Sequence, residues 1–258
     1  MLLSDRIKSQ GHFLFRHRSY LPYLLLPLLA LAFIETGAEF QTVFGKPAEE
    51  ALETLSVLLM VAGALVRILT VGFVPKGTSG RNTHGQQAGT LNMTGLYSIV
   101  RNPLYLGNFL VFLGFCVGTQ VWWFALLATL AFALYYERII ATEEAFLTEK
   151  FGARYLDWAR RTPAFFPNVR LWKRPSLPFS ARTVIRREYN GILLVVAMVV
   201  ALEVIHDVTM GEADLADPAS WPADWNAYFT VLGLSAALYL IVRHFKHNTA
   251  LLEVEGRS

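Results

Sequence analysis

The chain has 258 residues, 54% of them hydrophobic and 17% charged, with a mean hydropathy of +0.39 and a net charge of +3. A soluble domain carries about 25% charged residues, so this composition excludes an ordinary water-soluble domain and points to an integral membrane protein. The single cysteine, Cys116, excludes an internal disulfide.

Six apolar segments approach the roughly 17 to 25 residues that a spanning helix needs. The first runs from about Tyr20 to Phe40 and the second from about Leu52 to Val74. No small-residue cleavage site follows the first run, so no cleavable signal peptide is expected. The third and fourth, Pro103 to Val117 and Val121 to Tyr136, read as a tight hairpin turning at Gly118-Thr-Gln120. The last two run from about Tyr189 to Ile205 and from about Trp225 to Val242. Between the second and third lies a polar loop, Pro75 to Met93, of a length that is usually functional or disordered. After the fourth, Ile139 to Arg161 has helix-forming composition and an aromatic spacing that predicts an amphipathic helix on the membrane face, with Gly152 as a candidate break.

Basic residues set the orientation. Arg6, Lys8, Arg16 and Arg18 precede the first segment, and the first connection is acidic, with Glu35, Glu39, Glu49, Glu50 and Glu53 against Lys46. Residues 138 to 188 hold eleven Lys or Arg against five acids, whereas the last connection has six acids and no Lys or Arg. Both termini are therefore expected in the cytoplasm, of an inner or plasma membrane. The fold class expected is all-α: a polytopic membrane bundle of about six transmembrane helices, with a cytoplasmic amphipathic catalytic helix and an appended helical pair. Residues 1–175 form the expected core and 176–258 the appended segment, joined at Lys173-Arg-Pro-Ser-Leu-Pro-Phe-Ser180.

Two polar clusters stand at the membrane edge, where charged groups are expensive unless they bind something. In Arg101-Asn-Pro103, Pro103 suits the first turn of a helix. The N–H groups of that turn, with Arg101, suit an anion such as a carboxylate. The competing reading is a basic anchor beside a helix-starting proline. Tyr97 and Tyr105 flank the motif and also fit an interfacial aromatic belt. In the second cluster, Arg138 with Glu143 and Glu144 suits a polar substrate and a proton; a solvated helix start is the alternative. Arg138 and Glu143 stand about 140° apart on a straight helix, so a shared site requires a bend or a ligand that wraps. Arg67, near the end of the second segment, is explained by snorkelling. Arg81, Asn82 and His84 in the polar loop are candidates for a head group. No Walker motif, zinc spacing, GxSxG or strand-linked GxGxxG is present. No metal site is expected, and the basic residues follow membrane topology rather than a nucleic-acid groove.

Taken together, Gly95, Tyr97, Arg101, Asn102, Pro103, Tyr105 and Gly107, then a hairpin, then Arg138-Ile139, Glu143-Glu144, Leu147, Phe151-Gly152 and Tyr155 resemble the isoprenylcysteine carboxyl methyltransferase family and its phospholipid methyltransferase relatives. The resemblance covers about residues 90 to 165. It implies a membrane enzyme that uses S-adenosyl-L-methionine without a Rossmann domain and methylates a lipid or lipid-linked acceptor bearing a carboxylate, amine or phosphate. By the same resemblance, Tyr97, Arg101, Asn102, Pro103, Tyr105 and Glu144 line the cofactor side, while Arg138 and Glu143 orient the acceptor. The family's usual histidine before proline is Asn102 here, which hydrogen-bonds but does not titrate near neutrality. Two other readings stay open: a sterol-type reductase using NADPH, and a non-enzymatic membrane scaffold.

Overall fold

The computed structural model describes residues 3–17, 20–36, 39–75, 77–78 and 89–257. Its helices are α1 (Leu3–His17), α2 (Leu26–Thr36, entered from a 3₁₀ turn at Leu21–Leu25), α3 (Glu39–Phe44), α4 (Lys46–Phe73), α5 (Leu96–Ile99), α6 (Pro103–Gly118), α7 (Trp122–Phe151), α8 (Ala153–Arg161), α9 (Ala181–Thr209) and α10 (Trp225–Asn248). Among the described residues there is no strand, only one isolated bridge between Gly95 and Lys173. The expected all-α membrane class is the one observed.

Four helices, α4, α7, α9 and α10, are long and apolar enough to cross a bilayer. The third predicted segment is the 16-residue α6, about 24 Å long at 1.5 Å per residue, short of a hydrocarbon core of about 30 Å. The first predicted segment contains the 3₁₀ turn and the 11-residue α2, and its last two residues lie in α3. The hairpin forms where expected, turning through Thr119 and Gln120, the latter at φ +58°.

The stretch expected as a separate amphipathic helix is instead continuous with the fourth segment. α7 runs 30 residues to Phe151, about 45 Å, so its last turns extend beyond the apolar layer with Glu143 and Glu144 on them. Gly152, at φ +55° and ψ −133°, stops it, a conformation open essentially to glycine alone. The chain then turns into the amphipathic α8.

α4 and α6 pack most extensively, at backbone contact. A Cβ on Gly63 would lie 2.6 Å from the Gly107 carbonyl oxygen, and one on Gly114 would lie 2.6 Å from that of Ser56. Ser56 Oγ donates to the Gly114 carbonyl at 2.8 Å. Small residues let helix backbones approach where lipid offers no hydrophobic drive for association. A buried cluster of Ala32, Cys116, Val121, Phe124 and Ala128 seals the hairpin turn. α9 lies on α4 and α6, and α10 lies on α9. Leu58, Leu65, Leu130, Leu134, Leu194 and Leu240 are exposed along the long helices, as lipid-facing side chains are.

α1 packs on α7, and Arg257 Nη1 donates to the Gly72 carbonyl at 2.8 Å. Both ends of the described chain therefore meet the end of the bundle where α4 finishes and α6 begins.

Candidate active site

Residues 95–102 are clamped by the segment that follows α8. The Gly95 N–H donates to the Lys173 carbonyl at 2.9 Å and the Lys173 N–H to Ser98 Oγ at 2.9 Å. The Asn168 N–H donates to the Ile99 carbonyl at 2.9 Å and the Arg101 N–H to the Pro163 carbonyl at 2.8 Å. Asn102 caps α6 with its backbone while its side-chain amide donates to the Ala164 carbonyl at 3.0 Å. Pro103 is buried at the start of α6.

Arg101 is the hub. Its Nη2 lies 2.7 Å from Glu144 Oε1, and its Nη1 donates to the carbonyls of Ala159 and of Thr162, the latter at 3.1 Å. Its Nε–H is buried with no hydrogen-bond partner among the described residues, and so is Trp158 Nε1. Such orphaned donors normally have a partner in the working molecule. The buried Tyr155 stands beside them, its ring 5.6 Å from that of Trp158. Burial first, then the Glu144 carboxylate, pushes the Tyr155 phenol well above its ordinary range, against the opposing pull of Arg101. Next to this network opens a cavity of about 530 Å³ lined by Met93, Ser98, Trp158, Thr162, Arg170 and Trp172, among others. That volume falls within the roughly 300–1,000 Å³ of small-molecule sites.

The structure thus brings Arg101, Asn102, Pro103 and Glu144 to one place. Tyr105 stacks edge-on against Tyr136 of α7 at 4.8 Å between ring centroids. Tyr97 lies in α5, one turn before Arg101. Arg138 turns toward α1: its Nε donates to Gln10 Oε1 at 3.0 Å, and its Nη1 donates to the Leu134 carbonyl at 2.8 Å. Glu143 sits toward the other flank, near enough to act electrostatically on Tyr155. α7 is a continuous helix through both. Arg81, Asn82 and His84 lie outside the described residues.

A second polar group forms around Arg67, which does not snorkel as its sequence position suggests. Arg67 Nε and Nη2 donate to the two carboxylate oxygens of Glu188 at 2.8 and 3.0 Å, and its Nη1 donates to Asn108 Oδ1. Asn108 Nδ2 in turn donates to the Tyr136 hydroxyl at 3.2 Å. These residues edge a cavity of about 680 Å³ between α4, α6, α7 and α9, otherwise lined mainly by apolar side chains such as Leu24, Phe112, Val195 and Met198. A charge at the head of an apolar run, as Glu188 is before Tyr189, was the available signal.

Residues 52–154 match the family model described as phospholipid methyltransferase. The cobalt-zinc-cadmium resistance protein CzcN of Cupriavidus metallidurans is 31% identical over 169 residues, covering 66% of this chain and 72% of that protein. The nickel-cobalt-cadmium resistance protein NccN of Alcaligenes xylosoxydans xylosoxydans is 30% identical over 164 residues, 64% of this chain and 71% of that one. The protein-S-isoprenylcysteine O-methyltransferase B of Arabidopsis thaliana is 38% identical over 79 residues, 29% of this chain and 38% of that one. No solved structure matches. With its clamped Arg101-Asn-Pro103 and Glu144 on the far arm of a helical hairpin, the chain belongs to the isoprenylcysteine and phospholipid methyltransferase family of membrane enzymes.

Proposed function

We propose that this membrane methyltransferase uses S-adenosyl-L-methionine to methylate the polar head of a lipid or lipid-linked acceptor, and that the reaction takes place on the cytoplasmic face. The observation that carries the reading is the Arg101–Glu144 ion pair, with the orphaned Arg101 Nε–H and Trp158 Nε1–H beside a cavity. A cation and an anion side by side suit the amino-acid end of that cofactor, and indole and phenol rings suit its base. The residues present therefore fit the group.

Arg101 and Glu144 would hold its charged end. Asn102 and Pro103 shape the entry turn of α6, and Tyr97 and Tyr105 would stand on the cofactor side. Bound S-adenosylmethionine supplies an electrophilic methyl group. Arg138 and Glu143 would orient the acceptor, with Arg81, Asn82 and His84 reading its head group. Residues 162–173 hold 95–102 in place through hydrogen bonds, and much of the rate of such a transfer comes from positioning. Asn102 has no proton to move near pH 7, so this chain's role at that position is hydrogen bonding. The cytoplasmic assignment is supported by the basic residues at this end of the bundle.

Calorimetric titration of the purified protein with S-adenosylhomocysteine tests the reading. Saturable binding is expected. A folded sample that binds NADPH and not S-adenosylhomocysteine would reverse it.

A second reading has its own observation. Glu49 and Glu53 of α4 and His206 of α9 present ligand atoms all within 4.8 Å of one another, at the other end of the bundle. Two relatives are named as nickel-cobalt-cadmium and cobalt-zinc-cadmium resistance proteins. A role in metal resistance would appear as a growth defect on cobalt or cadmium when the gene is deleted, restored by the wild type and not by His206→Ala.

A further inference from the structure

The last two helices contribute to more than membrane anchoring. Glu188 of α9 lies outside residues 52–154, the segment that matches the family model. It nevertheless reaches Arg67 on α4 with both carboxylate oxygens, and Asn108 of α6 completes the triangle. Gly191, one turn on, lets α9 close over the pair: a Cβ there would lie 3.3 Å from Glu188 Oε2. All four residues border the 680 Å³ cavity.

An ion pair inside a bundle is a poor device for stability alone, because desolvating two charges offsets most of their attraction. Here the two partners are unequally covered. The Glu188 side chain is 5% exposed and that of Arg67 20%. Three of the five guanidinium N–H groups are engaged by Glu188 and Asn108. The accessible part of this polar group is therefore a hydrogen-bond donor, held rigid and facing an apolar chamber. Tyr136 connects it to the active site, accepting from Asn108 on one side and stacking on Tyr105 on the other.

We propose that this cavity binds the acceptor lipid as a single apolar chain whose polar end carries an acceptor oxygen, a carboxylate or a phosphate, bonded by Arg67. Glu188 acts as a positioning residue: it fixes the fork of Arg67 and prevents it from snorkelling to the surface. That the bound lipid is the methyl acceptor rests on the proposed function; the lipid site itself does not.

Native mass spectrometry of the full-length protein, released from detergent without cofactor, tests it with oleic acid, oleoyl lysophosphatidic acid and oleyl alcohol as probes. One bound oleate or lysophosphatidate per chain is expected, whichever is tighter naming the head group, and oleyl alcohol should bind about tenfold more weakly or worse, since a charge-assisted bond is lost. Val195→Trp, which fills the chamber, should abolish binding of all three. The double variant R67M/E188M, which removes both charges and leaves none unpaired, should bind oleate no better than oleyl alcohol. If the double variant does not fold, R67Q/E188Q reads the same contrast, because it also removes both charges while keeping polar side chains of similar size in place. Undiminished oleate binding in Val195→Trp, or an unchanged preference for oleate over oleyl alcohol in the Arg67 variants, overturns the proposal. S-adenosylhomocysteine binding to the same samples separates the two ideas. Lipid binding without it upholds the cavity and removes the cofactor reading; the converse removes the cavity.

Discussion

Arg101 Nη2 and Glu144 Oε1 stand 2.7 Å apart, one residue before the first arm of the α6–α7 hairpin and the other far along the second arm. That contact ties the clamped loop to the part of α7 that has left the apolar layer. The side chains are 17% and 32% exposed, so the pair is partly solvated and its value is geometric rather than stabilising.

Replacing either member should therefore harm binding far more than folding. Arg101→Met and Glu144→Gln are each expected to lower affinity for S-adenosylhomocysteine at least about tenfold, the loss of one charge-assisted contact. Melting temperatures should move by only a few degrees. Calorimetry and differential scanning fluorimetry on the same preparations check both halves.

The α4–α6 contact is intolerant of bulk. A Cβ on Gly107 would lie 2.6 Å from Arg67 Cγ and 2.9 Å from the Gly63 carbonyl oxygen. Gly107→Leu should destabilise by about 1–3 kcal/mol or more, as overpacking does, seen as a lowered unfolding midpoint. It should also disturb Arg67, so lipid binding falls with it.

Glu188→Ala leaves Arg67 buried without its carboxylate, which is expected to destabilise by about 3–5 kcal/mol. The R67M/E188M pair should unfold close to the wild-type midpoint. Thermal melts of the two variants side by side make the comparison.

Gly152 holds φ +55° between α7 and α8. Nothing lies within 4 Å of a Cβ built there, so Gly152→Ala tests backbone conformation without a clash. A loss of about 1–3 kcal/mol is expected. Cofactor affinity should weaken as well, because α8 carries Tyr155 and Trp158 toward Arg101.

Tyr155 titrates above its ordinary range in the folded protein because it is buried and faces Glu144. In the unfolded chain it loses its proton near pH 10. Above that pH the unfolded state binds fewer protons than the folded one, so stability falls as pH rises. Melting midpoints between pH 8 and 11 should show this decline, and Tyr155→Phe should flatten it.

Much of the fold could be read from local pattern. Pro103 starts α6 and the 118–120 turn closes the hairpin because proline at N1 and a break in apolar composition act over a few residues. Gly152 was visible as a stop for the same reason. The boundary between α7 and a surface helix was misread at Ile139, since a change from apolar to amphipathic composition marks where the membrane ends and not where the helix does.

An all-helical membrane chain, the turns that punctuate it and two polar clusters worth joining are thus legible in the residues alone. That Arg101 and Glu144 meet while Arg138 turns to Gln10, and that Arg67 is held by Glu188 rather than reaching for water, follows from the packing of the helices. Periodicity and composition report each segment's preference for lipid or water. Which buried charge finds which partner depends on how α4, α6, α7 and α9 pack against one another, and that is settled by contacts between residues far apart in the chain.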